Sequence, residues 1–352
     1  MVWRGVGPEA TADFDITDLP LTPEEGDAVV QVDFATVCGS DRHTVEGRRP
    51  GACPSVLGHE AVGRLVRVPP GRLGVTGTEL QVGDRVIWSV IAACAGPQRC
   101  DRCRAGLSAK CRNLRKTGHE ALDSGWPLSG GYASHVVLPP GLAIAPVPAS
   151  VDDLPAATAA CAAATVMACR QAATDITPIG GQRVLIIGAG MLGLYAAAVS
   201  ATGGAAEVVV VDPDPTRRGL AEQFGATSTA ATADGALADV VFELSGAPSS
   251  VRAGLAALDV GGVLVLAGSV APHGTIEVDP EQVVRRLITV RGVHNYEPPH
   301  LDEAVRFLAD TDWPWHLVIG DPVPLAELPE VFARPVRPEV LRAGVRLSSG
   351  AR

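Results

Sequence analysis

The sequence predicts an α/β protein, a doubly wound parallel sheet set into a mostly-β chain. Three observations carry this. From residue 183 on, near-continuous Val/Ile/Leu runs alternate with helical stretches, as in a parallel sheet covered on both faces. The turn Gly188-Ala189-Gly190-Met191-Leu192-Gly193 leaves the first of these runs and opens a helix. Residues 25–145 read instead as short β segments between Gly and Pro punctuation.

In chain order, strands are predicted at 28–32, 61–68, 85–89 and 132–138, with turns at Gly83-Asp84 and Pro139-Pro140. The texture changes near Asp153, and the Ala-rich stretch 156–173 reads as one helix. Then follow strand 184–187, helix 191–202, strand 207–211 and helix 215–224. Strand 240–244, helix 249–258 and strand 263–267 continue the alternation. After Asn295 the chain turns irregular again, apart from an amphipathic helix at 301–309.

The bulk numbers narrow the function classes. At 352 residues the chain can bury two cores. Apolar residues are 47% and charged ones 19%, as in ordinary soluble proteins. With 29 Lys and Arg against 39 Asp and Glu, the formal charge is −10, which argues against nucleic-acid and membrane-surface partners. No apolar run is long enough to span a bilayer, and residues 1–17 lack a basic-then-apolar signal, which points to the cytoplasm. Eight cysteines then read as metal ligands rather than disulfides. Cys53 and Cys169 are expected in the core, and His135, His273, His300 and His316 in structural or surface roles.

Cys38, in Cys38-Gly39-Ser40-Asp41, and His59, in Gly58-His59-Glu60, supply a thiolate and an imidazole. Cys161 adds a third soft ligand far downstream. Three such ligands leave the fourth corner of a zinc tetrahedron open, which separates a catalytic zinc from a structural one. An open zinc acts as a Lewis acid on an alcohol oxygen. Ser40 can place a hydroxyl beside that oxygen, and His43 can take its proton on toward solvent. Asp41 is expected to fix the tautomer of a zinc histidine. Glu60 is placed to tune the metal from behind or to bind it transiently.

Cys94, Cys100, Cys103 and Cys111 form a second set. Four thiolates fill a tetrahedron, so a structural zinc is expected there. A redox dithiol and a nucleic-acid zinc module are the alternatives.

The glycine turn lets a pyrophosphate approach the helix N-terminus. Asp212, after the next strand, would hold the adenosine ribose hydroxyls. Asp214 adds negative charge and argues for NAD over NADP, while Arg217 and Arg218 pull the other way. The cofactor set is thus Gly188, Gly190, Met191, Leu192, Gly193, Asp212 and Arg217.

These elements, with Gly83-Asp84-Arg85-Val86, make the chain resemble the zinc-dependent medium-chain alcohol dehydrogenases over essentially its full length. The resemblance implies a GroES-like catalytic domain split over 1–154 and 296–352, with a structural zinc lobe near 92–112. It implies a Rossmann NAD-binding domain over 155–295, an active site in a cleft, and a homodimer or homotetramer. One departure stands out. Pro97 occupies a position where the family's even spacing predicts a cysteine, and Cys94 keeps the expected distance from Val86 and counts as the first ligand. A narrower likeness, in Thr44-Val45-Glu46-Gly47-Arg48-Arg49, Pro127-Leu128-Ser129-Gly130-Gly131-Tyr132 and Val290-Arg291-Gly292-Val293-His294-Asn295-Tyr296, is to a branch proposed to act in phosphonate metabolism. In the family, the position of Arg49 lines the pocket, and its guanidinium can bind a phosphonate or carboxylate bidentately. A solvated Arg48-Arg49 pair is the other reading.

An open zinc beside a dinucleotide fold predicts hydride transfer between NAD(H) and a small polar alcohol, aldehyde or ketone, with a hydroxyalkylphosphonate as the narrow case. A zinc-free quinone or enoyl reductase, a polyol dehydrogenase and a non-catalytic binding protein are the alternatives. Trp88, Val90, Trp126 and Trp313 are candidate pocket walls by position or bulk.

Overall fold

Two large sheets organise the chain, one in each of two units. In the computed structural model, which describes residues 1–6, 12–270 and 274–347, Met1–Ala164 joins Glu297–Arg352 in the first unit, and Thr165–Tyr296 forms the second. Among the described residues, no helix is long and apolar enough to cross a membrane.

In the first unit the sheet runs in the order Ile319–Pro324, Arg342–Arg346, Ala28–Val37, Ala61–Arg67, Arg85–Ala92 and Arg115–Lys116. His135–Leu138 also pairs with Ala28–Val37, and Leu142–Pro146 with Arg85–Ala92. Valines, leucines and aromatics fill the core behind it, with Trp88 and Tyr132 among the largest wholly buried side chains. Register then places the polar groups. Val37 faces Ala343 on the antiparallel strand from the C-terminal stretch, so Arg342 arrives beside Cys38. Ala35 faces Ala61, and the Thr36 N–H donates to the Glu60 carbonyl at 2.9 Å.

Cys38 ends its strand and begins the helix Gly39–Val45, which the sequence reading did not mark. Asp41, at the third helical position, reaches back to accept from the Cys38 N–H at 3.1 Å. That contact satisfies a donor the helix start leaves orphaned. The predicted helix over 156–173 is real but broken. It runs as Asp153–Thr158, a π-helical turn Ala159–Ala163 and Ala164–Thr174, with Cys161 in the middle of the wide turn. Such turns inside helices frequently mark functional sites.

In the second unit, six parallel strands stand in the order Ser228–Ala230, Glu207–Val211, Arg183–Ile187, Ala238–Glu243, Leu258–Leu266 and Thr289–Gly292. The order reverses between Arg183–Ile187 and Ala238–Glu243, as in a doubly wound sheet. The fold class is therefore the predicted one.

Some expectations need correcting. Cys53 is exposed, because it lies in an irregular stretch outside the strands, whereas Cys169 is buried. The strand expected from residue 132 begins at His135, and Tyr132 instead turns its hydroxyl inward. His300 has the structural role expected of it: it is buried, and its Nδ1 accepts from the Glu297 N–H at 3.1 Å, fixing a helix start. His273 lies outside the described residues.

Candidate active site

Strand register and the wide helical turn bring Cys38, His59, Glu60 and Cys161 together, with one donor atom from each lying within 4.8 Å of all the others. The site is buried: His59 is 3% and Glu60 0% exposed. Ser40 stands at its edge, with Oγ 3.4 Å from His59 Nε2.

A layer of charge supports these four. The Asp41 carboxylate lies 3.2 Å from His59 Nδ1, so that nitrogen is held on the protonated side and Nε2 is left for a ligand. The Tyr132 hydroxyl lies 2.9 Å from the other Asp41 oxygen. Burial, then the Asp41 charge, raises the Tyr132 pKa and keeps its proton in place. Behind the centre, Arg342 donates to both Glu60 oxygens at 2.7 and 2.9 Å, and Thr36 Oγ1 donates to one of them at 2.6 Å. The Arg342 guanidinium also stands 3.4 Å from Cys38 Sγ. Nothing local in the sequence marks Arg342, Thr36 or Tyr132 for this role.

The electrostatics suit a cation. A hydrogen bond from Cys161 holds the Cys38 thiol well below its ordinary pKa, against the effect of burial and with help from the Arg342 charge. The same contact and burial push Cys161 up. Burial raises Glu60 to about 7, with Arg342 opposing. Burial works against a charged His59, but Asp41 and the Cys38 sulfur outweigh it and raise its pKa. Two sulfurs, an imidazole and a carboxylate converging in one dry spot form a donor set that fits zinc.

On the open side, His43 is exposed at the end of the Gly39–Val45 helix. Partial desolvation of its ring, then the Arg48 charge and, more weakly, Arg49, lowers its pKa. Arg48 is paired with Glu46. Among the described residues the Arg49 side chain has no hydrogen-bond or ion-pair partner, and it lies within electrostatic reach of His43, Lys116 and His119. The His119 ring packs on His59 with centroids 5.3 Å apart. Burial, then the His59 charge, lowers the His119 pKa to about 4. Its Nδ1 bonds the Thr117 carbonyl at 2.7 Å. Neither Lys116 nor His119 belongs to a motif the sequence reading used. Of the four candidate walls, Trp88 and Val90 lie on Arg85–Ala92, and buried Trp126 donates to the Val137 carbonyl at 2.8 Å.

The four-thiolate set also assembles, with all four donors within 4.8 Å of one another. Cys94 Sγ stands 3.2 Å from Cys111 and 3.5 Å from Cys103, and Cys100 Sγ stands 4.0 Å from Cys111. A zinc tetrahedron with bonds of about 2.3 Å has edges of about 3.8 Å, so the set fits that ion. Cys94 thus joins the lobe despite Pro97. The Cys100 and Asn113 backbone N–H groups donate to the Cys94 and Cys111 sulfurs at 3.3 Å.

In the second unit, Gly188 (φ +106°) ends the first strand, and a Cβ on Gly193 would fall 1.9 Å from the Gly188 carbonyl oxygen. Among the described residues, nothing lies within 4 Å of a Cβ built on Gly190. The turn is therefore tight inside and open outside, which fits a pyrophosphate. Met191 and Leu192 begin the helix Met191–Thr202. The buried Asp212 accepts from the Ala189 N–H at 2.8 Å and the Asp214 N–H at 2.9 Å, joining the glycine turn to the second strand's end. Asp214 instead caps the next helix, accepting from the Thr216 and Arg217 N–H groups. Arg218 donates to the Asp212 carbonyl at 2.7 Å, and Arg217 is half-buried.

The family model described as alcohol dehydrogenase GroES-like domain matches residues 24–149, and that described as zinc-binding dehydrogenase matches residues 192–310. A 5-exo-hydroxycamphor dehydrogenase of Pseudomonas putida is 30% identical over 325 residues, covering 87% of this chain and 85% of its own. An alcohol dehydrogenase structure from Thermotoga maritima superposes with a TM-score of 0.82 at 27% identity, covering 95% of this chain and 94% of its own. A structure from Sinorhizobium meliloti 1021, described as a zinc-binding dehydrogenase bound to NADP, superposes with a TM-score of 0.81 at 26% identity, covering 98% of this chain and 99% of its own.

Proposed function

The chain belongs to the zinc-dependent medium-chain alcohol dehydrogenases, and from that premise we propose that it transfers hydride between NAD(H) and a small polar alcohol, aldehyde or ketone. The observation that carries this reading is the convergence of Cys38, His59, Glu60 and Cys161 donors within 4.8 Å. Cys38, His59 and Cys161 would hold a catalytic zinc, and Cys94, Cys100, Cys103 and Cys111 a structural one. When bound at the first site, zinc supplies Lewis-acid chemistry.

The chain's own residues do the rest. Ser40 takes the alcohol proton, from a position 3.4 Å from His59 Nε2. His43, whose lowered pKa keeps it neutral near pH 7, accepts the proton on its way to solvent. Asp41 holds the His59 tautomer. Glu60 is gripped by Arg342 and Thr36, which fixes its carboxyl group beside the ligands. Gly188, Gly190, Met191, Leu192 and Gly193 receive the pyrophosphate, and Asp212 with Arg217 borders the adenosine ribose.

NAD is the cofactor in this reading. Asp212, held beside the glycine turn by the Ala189 N–H, would repel a ribose 2′-phosphate placed there. The substrate is an alcohol with an anionic head, a hydroxyalkylphosphonate in the narrow case. Arg49 and Lys116 support this, because neither side chain is paired among the described residues, and burial, then the Arg49 charge, lowers the Lys116 pKa. The thiol ligands call for a reducing compartment, the cytoplasm.

A homodimer or homotetramer completes the reading. Among the described residues the strand Thr289–Gly292 is paired on one edge only, and Val284 and Leu287 nearby are 72% and 70% exposed. Metal analysis, light scattering and an assay of hydroxyalkylphosphonates, polyols and simple alcohols with NAD and NADP test all of this. The expected result is two zincs per chain and turnover that prefers NAD. Less than one zinc per chain in carefully purified protein, or no nicotinamide-dependent turnover, overturns it.

A further inference from the structure

Glu243 takes no part in the chemistry above, yet its surroundings are built with care. It closes the strand Ala238–Glu243, level with Ile187 on the strand that feeds the glycine turn. Its side chain is 0% exposed. A carboxylate so buried is costly unless donors surround it. Oε1 has them: it accepts from the Ser245 N–H at 2.9 Å, the Ser245 hydroxyl at 2.6 Å and the Gly246 N–H at 2.8 Å. Among the described residues Oε2 has no partner. All of the carboxylate's hydrogen bonding thus serves one turn.

That turn is wedged between backbones. Gly246 has φ +80°, and a Cβ there would stand 2.5 Å from the Gly268 carbonyl oxygen. A Cβ on Gly188 would stand 3.0 Å from the Ser245 nitrogen. The turn therefore backs directly onto the first glycine of the dinucleotide loop. It also sits where the strand order reverses, between the carboxyl ends of Arg183–Ile187 and Ala238–Glu243. In doubly wound sheets the ligand crevice opens at that reversal.

We propose that Glu243 is a positioning residue of the dinucleotide site. By gathering three donors on one oxygen, it fixes the Ser245-Gly246 turn against Gly188 and sets one wall of the crevice. The inference rests on the dinucleotide reading of the glycine loop. A glutamine can keep the three bonds through its amide oxygen, because the oxygen it replaces holds none.

The test is NADH affinity by fluorescence titration, with zinc content and thermal midpoint recorded on the same samples. E243A is expected to weaken NADH binding about tenfold or more, a loss equivalent to about 1.4 kcal/mol, with zinc content unchanged. E243Q should stay within about threefold of the wild type. A merely structural glutamate would lower the midpoint and leave NADH affinity alone. A folded E243A that binds NADH as the wild type does overturns the proposal, as does an E243Q as weak as E243A. Should E243A fail to fold, S245A removes the 2.6 Å donor and is expected to weaken binding about threefold. Unchanged affinity there overturns the proposal too. A wild-type protein that binds no NADH removes the dinucleotide reading itself, which separates the two failures.

Discussion

The two cysteine-rich centres differ in how much of the chain each needs. The four-thiolate lobe takes every donor from residues 94–111, so its span is one loop. The other centre draws on Cys38, His59, Glu60 and Cys161, and its counter-charge Arg342 lies 304 residues from Cys38. Short turns and N–H···S bonds shape the first, as at Cys100 N–H on the Cys94 sulfur. Sheet register shapes the second. A metal held by one loop would stabilise that loop, since its binding free energy would then be folding free energy. A centre assembled from distant strands can hold a mixed set of thiol, imidazole and carboxylate donors, because strand register fixes where each arrives.

The comparison breaks most sharply with paired variants. Cys38→Ser should take bound zinc from two per chain to one and lower turnover about 10³-fold. Cys103→Ser should also leave one zinc, but lower the thermal midpoint by about 5–10 °C while kcat of the folded fraction stays within a few-fold. Equal losses of activity in both would erase the distinction between the centres.

Arg342→Met probes the long-range support. It strands the Glu60 carboxylate in a buried site, at a cost of about 3 kcal/mol in denaturant unfolding. The lobe takes its N–H···S support from its own loop, at Cys100 and Asn113, so zinc there should be retained. Wild-type stability in this variant would mean that the pair carries no weight.

His43→Ala should lower alcohol oxidation by about 10²-fold. Because the His43 pKa is depressed, the wild type keeps a neutral base down to that lowered value and loses rate as pH falls through it. The variant should lack that limb, and an unchanged pH–rate profile would remove His43 from the proton path. The smallest effect is expected for Arg49→Ala. It should raise KM about tenfold for an anionic alcohol and spare neutral ones, and equal effects would leave Arg49 a surface residue.

Much of this was readable from residues alone. The alternation after residue 183 and the glycine turn led to the doubly wound sheet, since buried parallel strands leave near-continuous apolar runs. The four lobe cysteines announce themselves by closeness in sequence. Other features were hidden. The helix Gly39–Val45 escaped because its start depends on Asp41 reaching back to Cys38, a side-chain contact with no periodic signature. The wide turn around Cys161 escaped because a run of alanines reads as unbroken helix.

The sequence by itself determined the types of donor, the alternation of strand and helix, and the loop that closes the four-thiolate lobe. These depend on spacings of a few residues, which chain stiffness converts directly into geometry. Only the tertiary structure decided that Arg342 would meet Glu60, that Tyr132 would brace Asp41, and that the His119 ring would pack on His59. Those meetings depend on which strands pair and in what register, and a one-residue slip would turn each side chain to the opposite face.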